Sequence, residues 1–351
     1  MNSNKKYKLL GDYIEVVDIR NKDLAITNLL GVSITKKFIT SIANIVGTDL
    51  STYKVVRSGQ FAYGPVTSRN GEKISIALLD GDDCIISSSY TVFRVNNENN
   101  LDPEYLMLWF SRPEFDRYAR YKSHGSVREI FGWDELCQVE LPVPDITKQR
   151  EIVKAYKVIT DRIALKQKIN DNLEATLTSL FVELFDRCEP SNTTFLSEII
   201  SFSNGKSRPK TEGNIPVYGG NGILSYTDQT NAENAVLIGR VGAYCGSVYL
   251  EHGICWVSDN AIYAKSKICD DEFYDYFLLK GLNLYNHHVG TGQQLLTQEI
   301  LNKLEIPKAN ISQIHTFNSK AKSVFSVIWN NENEISELQQ LSALLLARLA
   351  N

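Results

Sequence analysis

The stretch "LCQVELPVPDI" (Leu136 to Ile146) returns as "LNKLEIPKANI" (Leu301 to Ile311), 165 residues further on with no slip in register. Leu136 aligns with Leu301, Val139 with Leu304, Glu140 with Glu305, Leu141 with Ile306, Pro142 with Pro307 and Ile146 with Ile311. At the same spacing, "GSVREIFGWDEL" (Gly125 to Leu136) answers "GTGQQLLTQEIL" (Gly290 to Leu301). Further back, "LDPEYLMLWF" (Leu101 to Phe110) is similar to "DDEFYDYFLL" (Asp270 to Leu279), with a change in length. Such a repeat means one structural unit built twice, so the 351 residues divide between two cores rather than filling one.

The segment after each copy has a helical pattern. Positions seven apart read Ile152, Ile159, Lys166, Leu173 and Leu180, with a companion series Tyr156, Ile163, Asn170, Leu177 and Leu184. The second copy reads Phe317, Val324, Asn331, Leu338 and Leu345, with Ala321, Ile328, Ile335, Ser342 and Leu349. Eight of ten positions in each copy are apolar or aromatic, the stripe of a helix that packs along another helix. Thr147 and Ser312 are matched N-cap candidates, and each helix should run for about 38 residues, roughly 57 Å. Neither stripe can hold a helix alone, so the two are expected to pair. An antiparallel pair centred between Lys166 and Asn170 sets Asn170 against Asn331, with Lys166 beside Ile335. Lys166, Asn170 and Asn331 are the expected register residues.

Between these helices the segments Lys54 to Gly64, Asp83 to Val95, Asn234 to Gly242 and Ile254 to Lys265 read as strands bounded by Gly and Asn turns. Short helices are expected near residues 103–120 and 270–285. The fold class is therefore α+β: two mixed α/β domains joined by two long helices in an antiparallel coiled coil, a pseudo-twofold internal repeat. The expected boundaries are 1–145 and 189–308 for the domains, and 146–188 and 309–351 for the helices.

Hydrophobic residues make up 43% of the chain and charged residues 22%. No apolar run approaches the roughly 18 residues of a membrane helix, and the start lacks the apolar core of a signal peptide, so a cytoplasmic protein is expected. Six cysteines occur without a C-x-x-C pair, which points to reduced thiols. Cys245, His252, Cys255 and Cys269 have no familiar zinc spacing, and no metal is expected there. A net charge of −4 speaks against a nucleic-acid partner at first sight. Its distribution is less hostile: "RYARYKSHGSVR" (Arg117 to Arg128) and "NGKSRPK" (Asn204 to Lys210) are both free of acids. Short runs of this kind are usually solvated surface, but two of them in comparable domains favour phosphate contact.

Catalytic signatures fail on inspection. "NGKS" at Asn204 lacks the earlier glycine of a P-loop, since that place is Ile200, and "GTGQQL" at Gly290 has Leu295 where a dinucleotide loop needs its third glycine. The Pro144–Asp145 pair lacks the rest of a nuclease pattern, and neither a G-x-S-x-G elbow nor H-E-x-x-H is present.

Polar loops with glycine, aromatic and basic residues remain. Turn chemistry explains many of their glycines, but Arg and Gln side chains can also pair bidentately with guanine and adenine edges. In the first domain the candidate DNA contacts are Lys36 and Lys37, then Tyr63, Ser68, Arg69, Asn70 and Lys73, then Arg120, Lys122, His124, Ser126 and Arg128. In the second they are Lys206, Ser207, Arg208 and Lys210, then Tyr218 and Asn221, then Arg240 and Tyr244, then Thr291, Gln293 and Gln294.

The run "LSEIISFSNGKSRPKTEGNIPVYGGNGILSYTD" with "VLIGRVGAYCGSVYLEHGICWVSDNAIYA" resembles a target recognition domain of type I restriction-modification specificity subunits. "LPVPDITKQREIVKAYKVITDRIALKQKINDNLEAT" resembles that family's conserved spacer helix. The likeness covers nearly the whole chain in the order domain, helix, domain, helix. The first domain departs from the second in lacking "NGKS" and "YGGNG". The Pro and Gln pattern of Pro142, Pro144 and Gln149 becomes Pro307, Ala309 and Ile314, which is expected to weaken a partner contact there.

The resemblance implies a non-catalytic chain that reads a split sequence in double-stranded DNA, one half per domain, with the helices setting the gap. Two methyltransferase subunits using S-adenosylmethionine, and endonuclease/translocase subunits using ATP and Mg2+, would be its partners. Alternative readings are a recognition subunit of a methylation-only or other phage-defence complex, a metal- or nucleotide-dependent enzyme, and a DNA-mimicking scaffold; the acid-free runs oppose the last.

Overall fold

A computed structural model describes residues 7–41, 47–68, 70–125, 128–185, 192–269, 271–290 and 292–350. It divides into two compact units, residues 1–165 with 335–351 and residues 166–334, a division that falls inside both long helices.

Unit 1 contains β1 (Tyr7–Leu9), β2 (Ile14–Val17), β3 (Leu30–Val32), β4 (Phe38–Thr40), β5 (Lys54–Val56), β6 (Phe61–Tyr63), β7 (Ile76–Leu78), β8 (Cys84–Ile86) and β9 (Thr91–Val95). Helices α1 (Pro103–Phe110), α2 (Pro113–Lys122) and α3 (Trp133–Cys137) come after them, then β10 (Glu140–Pro142). The helix expected over 103–120 is two helices, because Pro113 cannot continue the hydrogen-bond ladder and begins a new helix instead. The long helix α4 (Ile146–Phe185) comes next.

Unit 2 contains β11 (Thr193–Phe195), α5 (Leu196–Ile199), β12 (Ile200–Asn204), β13 (Ile215–Gly219), β14 (Gly222–Thr227), β15 (Ala232–Gly239), β16 (Val248–Val257) and β17 (Ala261–Ser266). After them come α6 (Phe273–Gly281), α7 (Gln298–Asn302), β18 (Glu305–Pro307) and the second long helix, α8 (Ile311–Arg348).

The repeated phrase folds the same way in both units. Glu140–Pro142 pairs antiparallel with β1, Tyr7 opposite Pro142, and Glu305–Pro307 pairs with β11, Thr193 opposite Pro307. Leu10 N–H donates to the Val139 carbonyl and Leu196 N–H to the Leu304 carbonyl, both at 2.8 Å. Leu136 and Leu141, like Leu301 and Ile306, are buried beneath this junction.

The likeness continues where the sequence no longer shows it. Unit 1 has a sheet ordered β2-β9-β6-β7, and the six-stranded sheet of unit 2 begins β12-β17-β15-β16. Ile14 faces Val95 as Ile200 faces Ser266; Phe61 faces Phe93 as Val236 faces Ala264; Tyr63 faces Ile76 as Ile238 faces Val248. Unit 2 adds β13 and β14, whereas unit 1 adds the pairs β3-β4 and β5-β8.

Both long helices start one residue after an Asx cap. Asp145 accepts from Lys148 N–H at 3.1 Å and Asn310 from Ser312 N–H at 2.8 Å, so these residues, not Thr147 and Ser312, cap the helices. Asp and Asn are among the strongest N-caps, which decides the start two residues early. All twenty seam positions are buried or half-buried. In unit 1, Val153, Leu346 and Leu349 join the core of Phe61, Phe93 and Phe110. In unit 2, Phe181 and Phe185 of α4 and Phe317 of α8 enclose Tyr274 and Phe277 of α6.

Polar contacts between α4 and α8 in unit 2 run in opposite senses along the two helices. Asn331 Nδ2 donates to Asn170 Oδ1 at 2.8 Å, and Asn170 Nδ2 donates to the Ile328 carbonyl at 3.4 Å. Lys166 Nζ reaches Asn331 Oδ1 and Glu334, each at 2.8 Å.

Each long helix is also bolted to its own unit by one buried amide. Gln149 accepts from Asp102 N–H at 2.8 Å and donates to the carbonyls of Asn100 and Pro144. Ile314, at the matching place, is buried among apolar groups. One turn further on, Asn318 accepts from Tyr274 N–H at 2.8 Å and donates to the Asp271 carbonyl at 2.9 Å. The altered Pro and Gln pattern therefore changes an internal tie, since Gln149 and Ile314 both face inward.

Candidate nucleic-acid interface

The backbone brings the loops of unit 2 together at one end of its sheet. The turn 258–260 joins β16 to β17, which are not neighbours, so it crosses the end of the intervening strand β15. Lys206 N–H donates to the Val257 carbonyl at 2.9 Å, and Arg240 N–H to the Asn260 carbonyl at 2.9 Å. Leu296 N–H returns to the Arg240 carbonyl, and Gly242 N–H donates to the Gln294 carbonyl at 3.0 Å. A Cβ on Gly205 would lie 2.0 Å from the Ser258 carbonyl, so this packing requires glycine at position 205. Thus the loops 204–210, 239–244 and 289–295 sit side by side around the turn.

Two of these bonds recur at the corresponding end of unit 1. Phe131 N–H donates to the Pro65 carbonyl at 2.8 Å and Thr67 N–H to the Glu129 carbonyl at 2.9 Å. His124 bridges Ile130 as Val289 bridges Leu295. These hydrogen bonds make Pro65 the counterpart of Arg240, which is one reason the first domain lacks the second domain's motif.

At these ends Lys206, Ser207, Arg208, Lys210, Tyr244 and Gln293 are exposed, as are Ser68, His124 and Arg128 in unit 1. Asn70, Lys122, Arg240 and Gln294 are half-buried. Lys37 and Lys73 are exposed, and so is Asn221, in the tight turn between β13 and β14. Arg69, Ser126 and Thr291 lie outside the described residues. Lys206, Arg208, Lys210, Lys122 and Arg128 make no ion pair among the described residues.

Four candidates are placed otherwise. Lys36 turns inward from the β3-β4 hairpin, its ammonium 2.5 Å from Asp116 and 2.9 Å from the Ile74 carbonyl. Burial pushes its pKa down, while Asp116 opposes that shift. Tyr63 is fully buried in the core. Tyr218 is buried with its hydroxyl donated to Glu251, and desolvation raises its pKa. Arg120 is ion-paired with Glu129. The short strands of Tyr63 and Tyr218 have their final aromatic side chains facing the core, a direction that a glycine-aromatic sequence does not reveal.

Asp259, Asn260 and Ser88 are exposed at these ends without any mark in the sequence, because three-residue polar turns carry no composition signal. Tyr121, 81% exposed beside Lys122, is hidden for the opposite reason, lying inside a charge run.

The cysteines occupy separate places. Cys245 donates to the Arg240 carbonyl at 3.4 Å, Cys255 sits in another apolar cluster where burial pushes its thiol up to about 12, and Cys269 contacts Asn318. His252 stacks on Trp329 with centroids 3.9 Å apart. Among the described residues no three His, Cys, Asp or Glu side chains gather as metal ligands, and no helix is long and apolar enough to cross a membrane.

Residues 4–175 and 189–315 match the family described as type I restriction modification DNA specificity domain. The chain belongs to this family. It is 24% identical over 197 residues to the type I restriction enzyme HindI specificity subunit of Haemophilus influenzae, across 54% of this chain and 42% of that subunit. The alignment thus spans less than half the length of that curated relative. The fold is similar to the crystal structure of a type I restriction-modification system S subunit from M. genitalium, with a TM-score of 0.64, 15% identity and coverage of 100% of this chain and 98% of that one. The α+β organisation with long helices is therefore that of a type I specificity subunit.

Proposed function

We propose that this chain reads a bipartite DNA sequence, residues 1–145 taking one half and residues 189–308 the other. Helices α4 and α8, within the segments 146–188 and 309–351, form an antiparallel coiled coil, a pseudo-twofold ruler that holds the readers at a fixed spacing. The observation that carries this reading is the repeated sheet end: both units join two corresponding loops, 65–67 to 129–131 and 240–242 to 294–296, by the same backbone bonds, with exposed basic side chains there. Cations at such a surface neutralise phosphates, while neighbouring polar side chains meet base edges.

The chain itself performs no reaction. Two methyltransferase subunits using S-adenosylmethionine would modify the bound site, and ATP- and Mg2+-dependent endonuclease/translocase subunits would complete a restricting complex. A complex that only methylates would use the same surface. Methylation-sensitive sequencing of a host carrying this chain with its methyltransferase partner should yield one split motif with a constant gap. A continuous motif, or methylation without sequence preference, would contradict the proposal. Phage plating with and without the nuclease subunit separates restriction from methylation alone.

A further inference from the structure

We infer that the turn 258–260 and its counterpart 87–89 are base-reading elements, with Asp259 selecting a base that offers an exocyclic amino group. This rests on the DNA-reading function proposed above, and names residues for it that are not among the candidate contacts read from the sequence.

The position of the turn is central. It crosses the end of β15 and lies between the loop of Lys206, Arg208 and Lys210 and the loop of Arg240 and Tyr244. It is also fixed. Ser258 N–H donates to the Tyr218 carbonyl at 2.9 Å, Ala261 N–H to the Ser258 carbonyl at 3.0 Å, and Arg240 N–H to the Asn260 carbonyl. The Arg240 guanidinium reaches the Asp259 carbonyl at 3.4 Å.

The side chains are left over from this scheme. Asp and Asn in turns commonly accept from the adjoining backbone, but neither Asp259 nor Asn260 makes a side-chain hydrogen bond among the described residues. Nor does Asp259 form an ion pair among them, although basic residues flank it. A carboxylate at a phosphate-facing surface is repelled by the backbone, whereas the cytosine N4 amino group is a donor that Asp can accept from in the major groove. Adenine N6 offers the same chemistry.

Unit 1 repeats the turn. Tyr90 N–H donates to the Ser87 carbonyl at 3.1 Å, as Ala261 does to Ser258, and each turn enters its strand at the same register point. Ser88 and Ser89 are exposed where unit 2 has Asp259 and Asn260. Two copies of one device with different side chains are what two readers of different half-sites require.

The test selects duplexes from a pool with randomised positions, using the chain complexed with its methyltransferase subunits, and compares wild type with Asp259→Ala, Asp259→Asn and Ser88→Ala. Both Asp259 variants should melt with wild type and lose about tenfold of base preference at one position of one half-site. Ser88→Ala should relax preference only in the other half. If the variants lower binding equally for all sequences, or leave every preference intact, the turn does not read bases and the inference is overturned while the wild-type motif stands. If wild type itself selects no split motif, the underlying functional reading fails.

Discussion

Asn331 lends both ends of its amide to α4, donating to Asn170 at 2.8 Å and accepting from Lys166 at 2.8 Å. Polar groups in an otherwise apolar seam fix register at some cost in stability. Asn170→Leu alone leaves the Asn331 side-chain N–H without its acceptor, while Lys166 still donates to Oδ1, and should cost about 1–3 kcal/mol. Asn170→Leu with Asn331→Leu should recover that loss and raise the melting temperature, since Lys166 keeps Glu334. The double variant should also methylate sites of more than one gap length. Denaturation and methylome sequencing check both halves of this prediction, and a double variant less stable than the single one would refute the first.

Gln149 and Asn318 do one task from places a helical turn apart. Gln149→Leu leaves Asp102 N–H and the carbonyls of Asn100 and Pro144 without the Gln149 amide, and should cost about 2–3 kcal/mol in denaturant unfolding. Asn318→Leu should behave alike, while Ile314→Gln would not replace it, because position 314 faces apolar neighbours.

Lys36 and the Lys206 loop should give opposite results in one pair of measurements. Lys36→Ala leaves Asp116 buried without its cation and should cost about 3 kcal/mol of stability, with the salt dependence of DNA binding unchanged. Changing Lys206, Arg208 and Lys210 to alanine should leave stability alone and flatten log affinity against log salt by about 0.9 per phosphate contact removed.

Asp275 is buried, and desolvation raises its pKa to about 7, with Glu272 adding repulsion and Ser266 opposing the shift. Cys269 also lies within its field. Because the folded value exceeds the ordinary 3.8, the folded state retains a proton that the unfolded chain has lost, so stability falls as pH rises from about 4 to about 7. Asp275→Asn should therefore raise the melting temperature at pH 8 and do little at pH 4. An equal effect at both pH values would assign the change to packing instead.

The junction and the helical seam are legible in the sequence because both are local periodic patterns: Leu136, Leu141 and the heptad positions keep one spacing of 165 residues in both copies. The shared sheet is not. Equivalent strands are displaced by unequal insertions, so that Ile14 matches Ile200 while Phe61 matches Val236, and no single offset aligns them. Among site residues, charge in glycine loops marks Lys206 and Arg208 correctly as surface features. Lys36 and Tyr218 escape that logic because their partners, Asp116 and Glu251, are distant in sequence and meet them only after folding.

Exchanging one reader tests the two-reader function at its root. Residues 1–144 are replaced by the corresponding segment of another type I specificity subunit, and the methylated sequence is read across a genome in the presence of the methyltransferase partner. The expected outcome is a new first half, with the second half and the gap unchanged. A change in both halves would mean that the two units do not read DNA independently.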